Sequence, residues 1–204
     1  GMRPDGHGIL DNSIYLPAVD SERVLDTGDA HAMMRADSVL GGRLLTSTTV
    51  HDLLAARVLR TVVASAGSSG SAYLLGGAGR APILNAELVL PAALAPVVRA
   101  RVGAAPPEGK PNRRVNAWAV DALLRVGIDS LDADVGMLWL SDPDHTVHGA
   151  GLGSALADSA IRAVDGEIGR LFAGLAERGL RNQVDVLIVS DHGFSTHAGR
   201  TSEI

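Results

Sequence analysis

Three short apolar runs along the chain have the pattern of buried β-strands. They cover Val58–Ala64, Val135–Leu140 and Val184–Val189. Each run is rich in β-branched residues, and polar or turn residues bound it on both sides. Because their apolar character is nearly continuous rather than alternating, the runs favour parallel strands that are covered on both faces. We therefore predict a mostly parallel β-sheet.

Helical periodicity is found between these runs. Asp158–Arg178 has apolar residues at spacings of three and four, which gives one apolar stripe, and Gly179 is a suitable C-cap. Thr48–Arg57 and Asn116–Val126 are shorter helical candidates. The expected N-caps are Thr46 or Ser47 for the first of these and Asn116 for the second. Strands that alternate with helices predict an α/β fold with a mostly parallel sheet and helices on both faces.

The middle of the chain has a weaker pattern. Residues 67–79 are rich in Gly and Ser, residues 104–112 are rich in Pro, and the signals between them are mixed. We interpret residues 67–113 as an insertion or lid on the main sheet. A length of 204 residues is typical of one domain, so residues 1–204 are expected to form a single domain.

Composition and charge exclude several classes of function. The chain has 18 basic and 23 acidic residues, a net charge of −5, which argues against binding a nucleic-acid polymer. Aromatic residues are only 3%, so a base-stacking platform is also disfavoured. There is no Cys for disulfides or thiolate metal sites, and no apolar run approaches the length of a membrane span. Seventeen Arg against one Lys is typical of a GC-rich bacterial genome.

The strongest chemical signal is a pair of Asp–His clusters, each directly after a predicted strand. The first contains Asp144 and His148 behind Pro143, and the second contains Asp191 and His192. Ligands in open parallel sheets bind at the carboxyl ends of strands. Asp and His without Cys form the ligand set of zinc or a similar divalent cation in a hydrolytic site. Residues four apart, such as Asp144 and His148, face the same point on one helical turn.

The alternative is that these side chains are solvated loop residues, which is less consistent with two such pairs in one chain. The remaining histidines carry less information. We interpret His31, His51 and His197 as surface or capping groups. His145 stays ambiguous, because it lies inside the first cluster but off its spacing.

These motifs, in their order along the chain, resemble the type I phosphodiesterase/nucleotide pyrophosphatase family of the alkaline phosphatase superfamily. The resemblance rests on PDHTVH followed by GAGLGS, on the long helix, and on VSDHGF; HGILDN near the start adds to it. It implies an alkaline phosphatase-like α/β fold. It also implies hydrolysis of a small-molecule phosphodiester or nucleotide with two divalent metal ions, expected to be zinc.

The resemblance assigns roles to five residues. Asp191 and His192 match two ligands of one zinc, and Asp144 and His148 match two ligands of the second. Asn12 matches the Asn whose amide donates to a phosphate oxygen. In the family, a Thr attacks phosphorus and forms a covalent intermediate that water then hydrolyses.

The chain departs from the family pattern at both ends. The first-strand Asp ligand and the Thr nucleophile would fall upstream of Gly1, and a further His ligand would fall beyond Ile204. Thr146, Ser195 and Thr196 are poor replacements for the nucleophile. We therefore expect a partial, truncated domain that is inactive alone, with empty or partly filled metal sites.

Three readings of the function remain open at this stage. The chain is a phosphodiesterase or nucleotide pyrophosphatase domain, a non-catalytic remnant or pseudoenzyme with weak metal or phosphate binding, or a relative of the phosphonate hydrolases, sulfatases or phosphomutases. Because the missing first strand would leave unpaired sheet edges, we expect the chain to form a homo-oligomer, to swap an element with a second copy, or to close the gap by rearranging. The compartment stays open.

Overall fold

A computed structural model describes residues 3–195. The strands in this range are β1 (Ser13–Ile14), β2 (Leu25–Asp26), β3 (Thr61–Ser65), β4 (Ile83–Asn85), β5 (Val89–Leu90) and β6 (Val135–Trp139). The α-helices are α1 (Pro4–His7), α2 (Ala30–Val39), α3 (Val50–Ala55), α4 (Ser69–Leu75), α5 (Ala95–Arg101), α6 (Arg113–Ala122), α7 (Asp144–Ala150) and α8 (Ala155–Glu177). A short 3₁₀ turn (Ala92–Leu94) precedes α5, and a π-helical turn (Leu123–Ile128) continues α6.

A four-stranded, mostly parallel sheet forms the centre of the fold. Its strand order is β5-β4-β3-β6, with β3 parallel to both β4 and β6 and with β5 antiparallel to β4. The two strands β1 and β2 form a separate antiparallel pair. The predicted α/β class with a mostly parallel sheet is confirmed.

Alternation along β3 shows that helices cover both faces of this sheet. Val63 is paired with Ile83, so their side chains share one face, and a Cβ on Gly76 at the end of α4 would lie 2.9 Å from Ile83. The next side chain, Val62, points to the opposite face. There a Cβ on Gly127 of the π-helical turn would lie 2.9 Å from Val62. Helix α4 and the continuation of α6 therefore pack on opposite faces.

Two of the three predicted strands are present. β3 begins at Thr61, three residues later than predicted, because Val58 has a positive φ of 60° and lies in a turn after α3. The third prediction is wrong in this structure. Val184–Val189 forms no strand, and Leu187 and Val189 are 90% and 89% exposed.

The predicted helices are present with shifted ends. The long helix begins at Ala155 rather than Asp158, because the Ser154 side chain accepts a hydrogen bond from the Ala157 amide. Thr49, and not Thr46 or Ser47, caps α3 through a capping box with Asp52. Asn116 is not a cap, since it is fully buried inside α6.

The described residues divide into two compact units. One contains residues 3–107 and Arg114–Leu140, and the other contains Glu108–Arg113 and residues 141–195. Residues 67–113, interpreted above as an insertion or lid, contribute β4 and β5 to the main sheet. The single-domain and lid assignments, like the homo-oligomer, stay predictions.

The first unit contains a tightly buried core. Met33, Ile83 and Ala72 are fully buried, and they belong to a cluster that joins α2, α4 and β4. A smaller cluster joins Ala66 to Val115 and Ala119 on α6. In residues 3–195, none of the helices has the length and apolar character needed to cross a membrane.

Candidate metal-binding site

The first acid–histidine pair lies on helix α7 in the second unit. The helix begins at Asp144, directly after Pro143, and His148 follows one turn later. This spacing brings the two side chains together, with 3.4 Å between His148 Nε2 and Asp144 Oδ1. The Asp144 and His148 side chains are 49% and 69% exposed, so the pair opens to solvent.

The neighbouring Asp142 has a structural role that separates it from Asp144. Asp142 is buried. Its Oδ1 accepts a hydrogen bond from Thr146 Oγ1 at 2.7 Å, and its Oδ2 accepts one from the backbone N–H of Asn112 at 2.6 Å. Both carboxylate oxygens are therefore engaged in holding the start of α7. Thr146 is fully buried and donates its hydroxyl proton to Asp142. It is thus not placed to act as a nucleophile.

The second pair, Asp191 and His192, lies on an irregular segment of the same unit. His192 Nδ1 is 3.1 Å from the carbonyl oxygen of Gly193. Because a carbonyl oxygen can only accept, Nδ1 carries a proton, and in the neutral imidazole the lone pair is then on Nε2. The Nε2 atom lies 3.7 Å from Asp191 Oδ2 and also 3.7 Å from Asp144 Oδ1. The segment thus brings the second pair to the first.

The oxygen shared by these contacts is unsatisfied. Asp144 Oδ1 is buried and has no hydrogen-bond partner within residues 3–195, although His148 Nε2 and His192 Nε2 lie 3.4 and 3.7 Å from it. An unpaired buried carboxylate oxygen is costly unless a donor or cation occupies the space beside it. Ligands of a tetrahedral zinc with bonds of about 2.0–2.1 Å lie about 3.3 Å apart. The observed 3.4 and 3.7 Å are close to that separation. The donor types and these pairwise spacings therefore fit a divalent cation.

The arrangement is nevertheless incomplete. Within the described part of the chain, no group of three or more His, Asp or Glu side chains is arranged so that it could hold a metal ion. The contacts instead form pairs that share one oxygen of Asp144. Two donors per cation bind far more weakly than the four of a closed structural zinc site.

An aromatic side chain outside the two Asp–His pairs contacts both histidines. The Phe194 ring lies 5.1 Å from the His148 ring at an interplanar angle of 74°, and 5.8 Å from the His192 ring at 63°. Its place after Gly193 was visible in the sequence. The contact of Phe194 with His148 on α7 could not be seen in the sequence, because it joins residues 46 positions apart (194 − 148).

Asn12, the predicted phosphate donor, lies in the first unit. Its carbonyl accepts hydrogen bonds from the Thr27 amide and hydroxyl, both at 2.9 Å, which fix the backbone at this point. Asn12 is exposed and lines a cavity of about 360 Å³ together with Ser71 and Trp139.

The structure also places the other candidates. His51 was predicted to be a surface or capping group, and this is wrong: it is 2% exposed, with hydrogen bonds to Thr61 and Leu75. His31 is exposed, His145 is half-buried, and Ser195 is exposed. The predictions for Thr196 and His197 lie outside the described residues.

The fold resembles that of a solved enzyme. The crystal structure of phosphonoacetate hydrolase from Sinorhizobium meliloti 1021, in complex with phosphonoacetate, matches with a TM-score of 0.54 and 19% sequence identity. The match covers 86% of this chain and 39% of that chain. At this identity the likeness shows the fold alone.

Sequence comparison identifies the family. The profile of the type I phosphodiesterase/nucleotide pyrophosphatase family matches residues 1–203, and the chain belongs to this family. Members of the family and superfamily generally use divalent metals.

Curated relatives match over shorter stretches. Ectonucleotide pyrophosphatase/phosphodiesterase family member 3 from Mus musculus is 36% identical over 57 residues, which is 28% of this chain and 6% of that protein. Family member 7 from Homo sapiens is 32% identical over 73 residues, which is 36% of this chain and 16% of that protein. The matched stretches are thus a small part of these relatives.

Proposed function

We propose that this chain is part of a metal-dependent hydrolase for small phosphodiesters or nucleotide pyrophosphates. The observation that supports this most directly is the buried, unpartnered Asp144 Oδ1 with His148 Nε2 and His192 Nε2 beside it. Such a cluster is destabilising as a set of bare side chains, but it is favourable around a cation.

The resemblance and the chemistry of the donors suggest a role for each residue. Asp144 and His148 would hold one divalent cation and Asp191 and His192 a second, with zinc the best fit to an Asp/His donor set. Bound cations in such sites activate the nucleophile and stabilise charge on the transferring phosphoryl group. The Asn12 amide would donate a hydrogen bond to a phosphate oxygen, which orients the phosphorus for in-line attack.

A second candidate function is a non-catalytic family member that binds metal weakly. Two observations favour it. The described residues contain no three-ligand metal group, and the Thr146 hydroxyl is buried against Asp142. Ser195 is exposed, but no contact in the described structure activates it as a nucleophile.

Metal binding tests what the two candidates share. Isothermal titration of the metal-free protein with zinc should show saturable binding, weakened at least about tenfold in Asp144→Asn and in His192→Ala, because each removes a donor. His31→Ala is the matched control, since His31 is exposed on α2 in the other unit. Equal zinc affinity in all four proteins would contradict the assignment of these ligands.

Turnover separates the two candidates. The zinc-loaded protein should be assayed with bis(4-nitrophenyl) phosphate, a dinucleotide and phosphonoacetate. Hydrolysis that disappears in Asp191→Ala would establish the enzyme and reject the non-catalytic reading. Zinc binding without hydrolysis of any of these substrates would establish the non-catalytic reading for this chain. Hydrolysis of phosphonoacetate alone would favour the phosphonate hydrolase relationship.

A further inference from the structure

We infer that Phe194 is a positioning residue, which orients the imidazoles of His148 and His192 toward the shared oxygen of Asp144. The inference rests on the proposed metal-binding function and extends it to a side chain that is not itself a ligand.

The ring contacts have the geometry of favourable aromatic pairs. The centroid distances of 5.1 and 5.8 Å and the angles of 74° and 63° describe edge-to-face packing on both histidines. Aromatic pairs prefer this arrangement at centroid distances of about 4.5–7 Å. One phenyl ring therefore contacts two imidazoles that come from different segments, α7 and the stretch after residue 190.

His148 depends on this contact more than His192 does. The His192 ring is already fixed by its Nδ1–H bond to the Gly193 carbonyl. Within residues 3–195, no hydrogen bond orients the His148 ring, and its side chain is 69% exposed. Besides the 3.4 Å approach of its Nε2 to Asp144 Oδ1, the His148 ring contacts the Phe194 ring.

Loss of the phenyl ring should widen the range of orientations that the His148 imidazole adopts. An imidazole that binds metal in only a fraction of its orientations has an affinity reduced by that fraction. Groups that orient metal ligands typically change metal affinity by about 10–100-fold when they are removed. Because Phe194 is 37% exposed, we expect the low end of that range.

The test compares Phe194→Leu with two companions. Phe194→Tyr keeps the ring and should restore wild-type behaviour. Phe172→Leu is the matched control, because Phe172 is the other phenylalanine of the chain and packs against Arg181, with 4.5 Å from its ring to the guanidinium carbon.

Two readouts are needed. In the metal-free protein, the imidazole Cε1–H resonances of His148 and His192 should show a ring-current shift that Phe194→Leu removes. Titration with zinc, and with cobalt followed by its visible absorption, should give a dissociation constant raised about tenfold in Phe194→Leu. Phe194→Tyr and Phe172→Leu should match the wild type in both readouts.

Several results would overturn the inference. One is that Phe194→Leu leaves the His148 and His192 resonances unchanged. Another is that Phe194→Leu removes the ring-current shift but leaves the zinc affinity and the cobalt spectrum unchanged. If Phe194→Leu does not fold, Phe194→Met, which has similar bulk and no ring, takes its place with the same expectations. A wild-type protein that binds neither zinc nor cobalt would reject the proposed metal-binding function, and the positioning role with it. The resonances of the metal-free protein would still show whether Phe194 contacts the two histidines. Failure of the proposed function can therefore be told apart from failure of the ring contact.

Discussion

Strand β3 and the segment Val184–Val189 have similar sequences but opposite environments. β3 reads TVVAS and the segment reads VDVLIV, and both are apolar and rich in valine. In β3, Val62, Val63 and Ala64 are fully buried, with a parallel neighbour on each side. In the segment, Leu187 and Val189 are about nine-tenths exposed and no strand forms.

The difference shows what apolar composition can specify. β-propensity largely describes how well a side chain fits a pleated, half-buried surface, so it depends on neighbours that supply that surface. β3 has β4 and β6 beside it and helices on both faces. The described part of the second unit contains no strand with which Val184–Val189 could pair. The same contrast separates the buried His51 from the exposed His148. Substitutions on both sides of the contrast can test it.

The largest expected effect is a buried charge in β3. Val63→Asp should cost more than about 3 kcal/mol of the free energy of unfolding, because the carboxylate would be buried without a partner. Ile188→Asp, at a position 65% exposed, should stay within about 0.5 kcal/mol. Urea denaturation measures both. A large loss in Ile188→Asp would show that Val184–Val189 is buried in solution, as self-association would require.

The next effect concerns the buried histidine of the first unit. His51→Ala should lower the free energy of unfolding by about 2–4 kcal/mol, because it leaves a cavity and removes the hydrogen bonds of both ring nitrogens to half-buried partners. His51 bonds Thr61 Oγ1 at 3.0 Å and the Leu75 carbonyl at 2.8 Å. The exposed His31→Ala is the control and should be nearly neutral. Equal stability of the two variants would contradict the buried assignment.

A smaller effect appears only at alkaline pH. Burial, with the nearby charge of Asp37, raises the pKa of Tyr73 to about 12. Above about pH 10 the unfolded chain loses this proton first, so the free energy of unfolding should fall as pH rises toward about 12. Tyr73→Phe should flatten that slope, at a cost of about 1 kcal/mol at neutral pH for the hydrogen bond to Asp37.

The control for this experiment is Tyr15→Phe, because Tyr15 is 57% exposed. Urea denaturation at several pH values between 9 and about 12 gives the slope for each protein. Identical slopes in Tyr73→Phe and the wild type would show that Tyr73 is not shielded as described.

The smallest effect is expected at the open site. Without metal, Asp144→Asn should change stability by no more than about 0.5 kcal/mol, because Asp144 is half-exposed and its Oδ1 has no hydrogen bond to lose. Added zinc should raise the melting temperature of the wild type more than that of Asp144→Asn, because the variant keeps fewer donors. Destabilisation of several kcal/mol in metal-free Asp144→Asn would show that this carboxylate is structural.

The sequence was most informative where the signal is local. Four-residue spacing brought Asp144 and His148 together on α7, and the apolar stripe located α8. It was least informative where distant residues decide the environment. His51 has the sequence surroundings of a surface residue, yet Thr61 and Leu75 enclose it. Asp142 likewise differs from Asp144 because Asn112, thirty residues before Asp142, donates a hydrogen bond to it.

By itself, the sequence determined the family, the α/β class and the residue types available for metal chemistry, because motif order, periodicity and composition are properties of the chain. Only the tertiary structure decided which apolar run is buried, which aspartate keeps an unsatisfied oxygen, and which aromatic ring contacts the two histidines. Each of these depends on atoms far apart in sequence, and burial and hydrogen bonding are set by the neighbours that folding brings into contact.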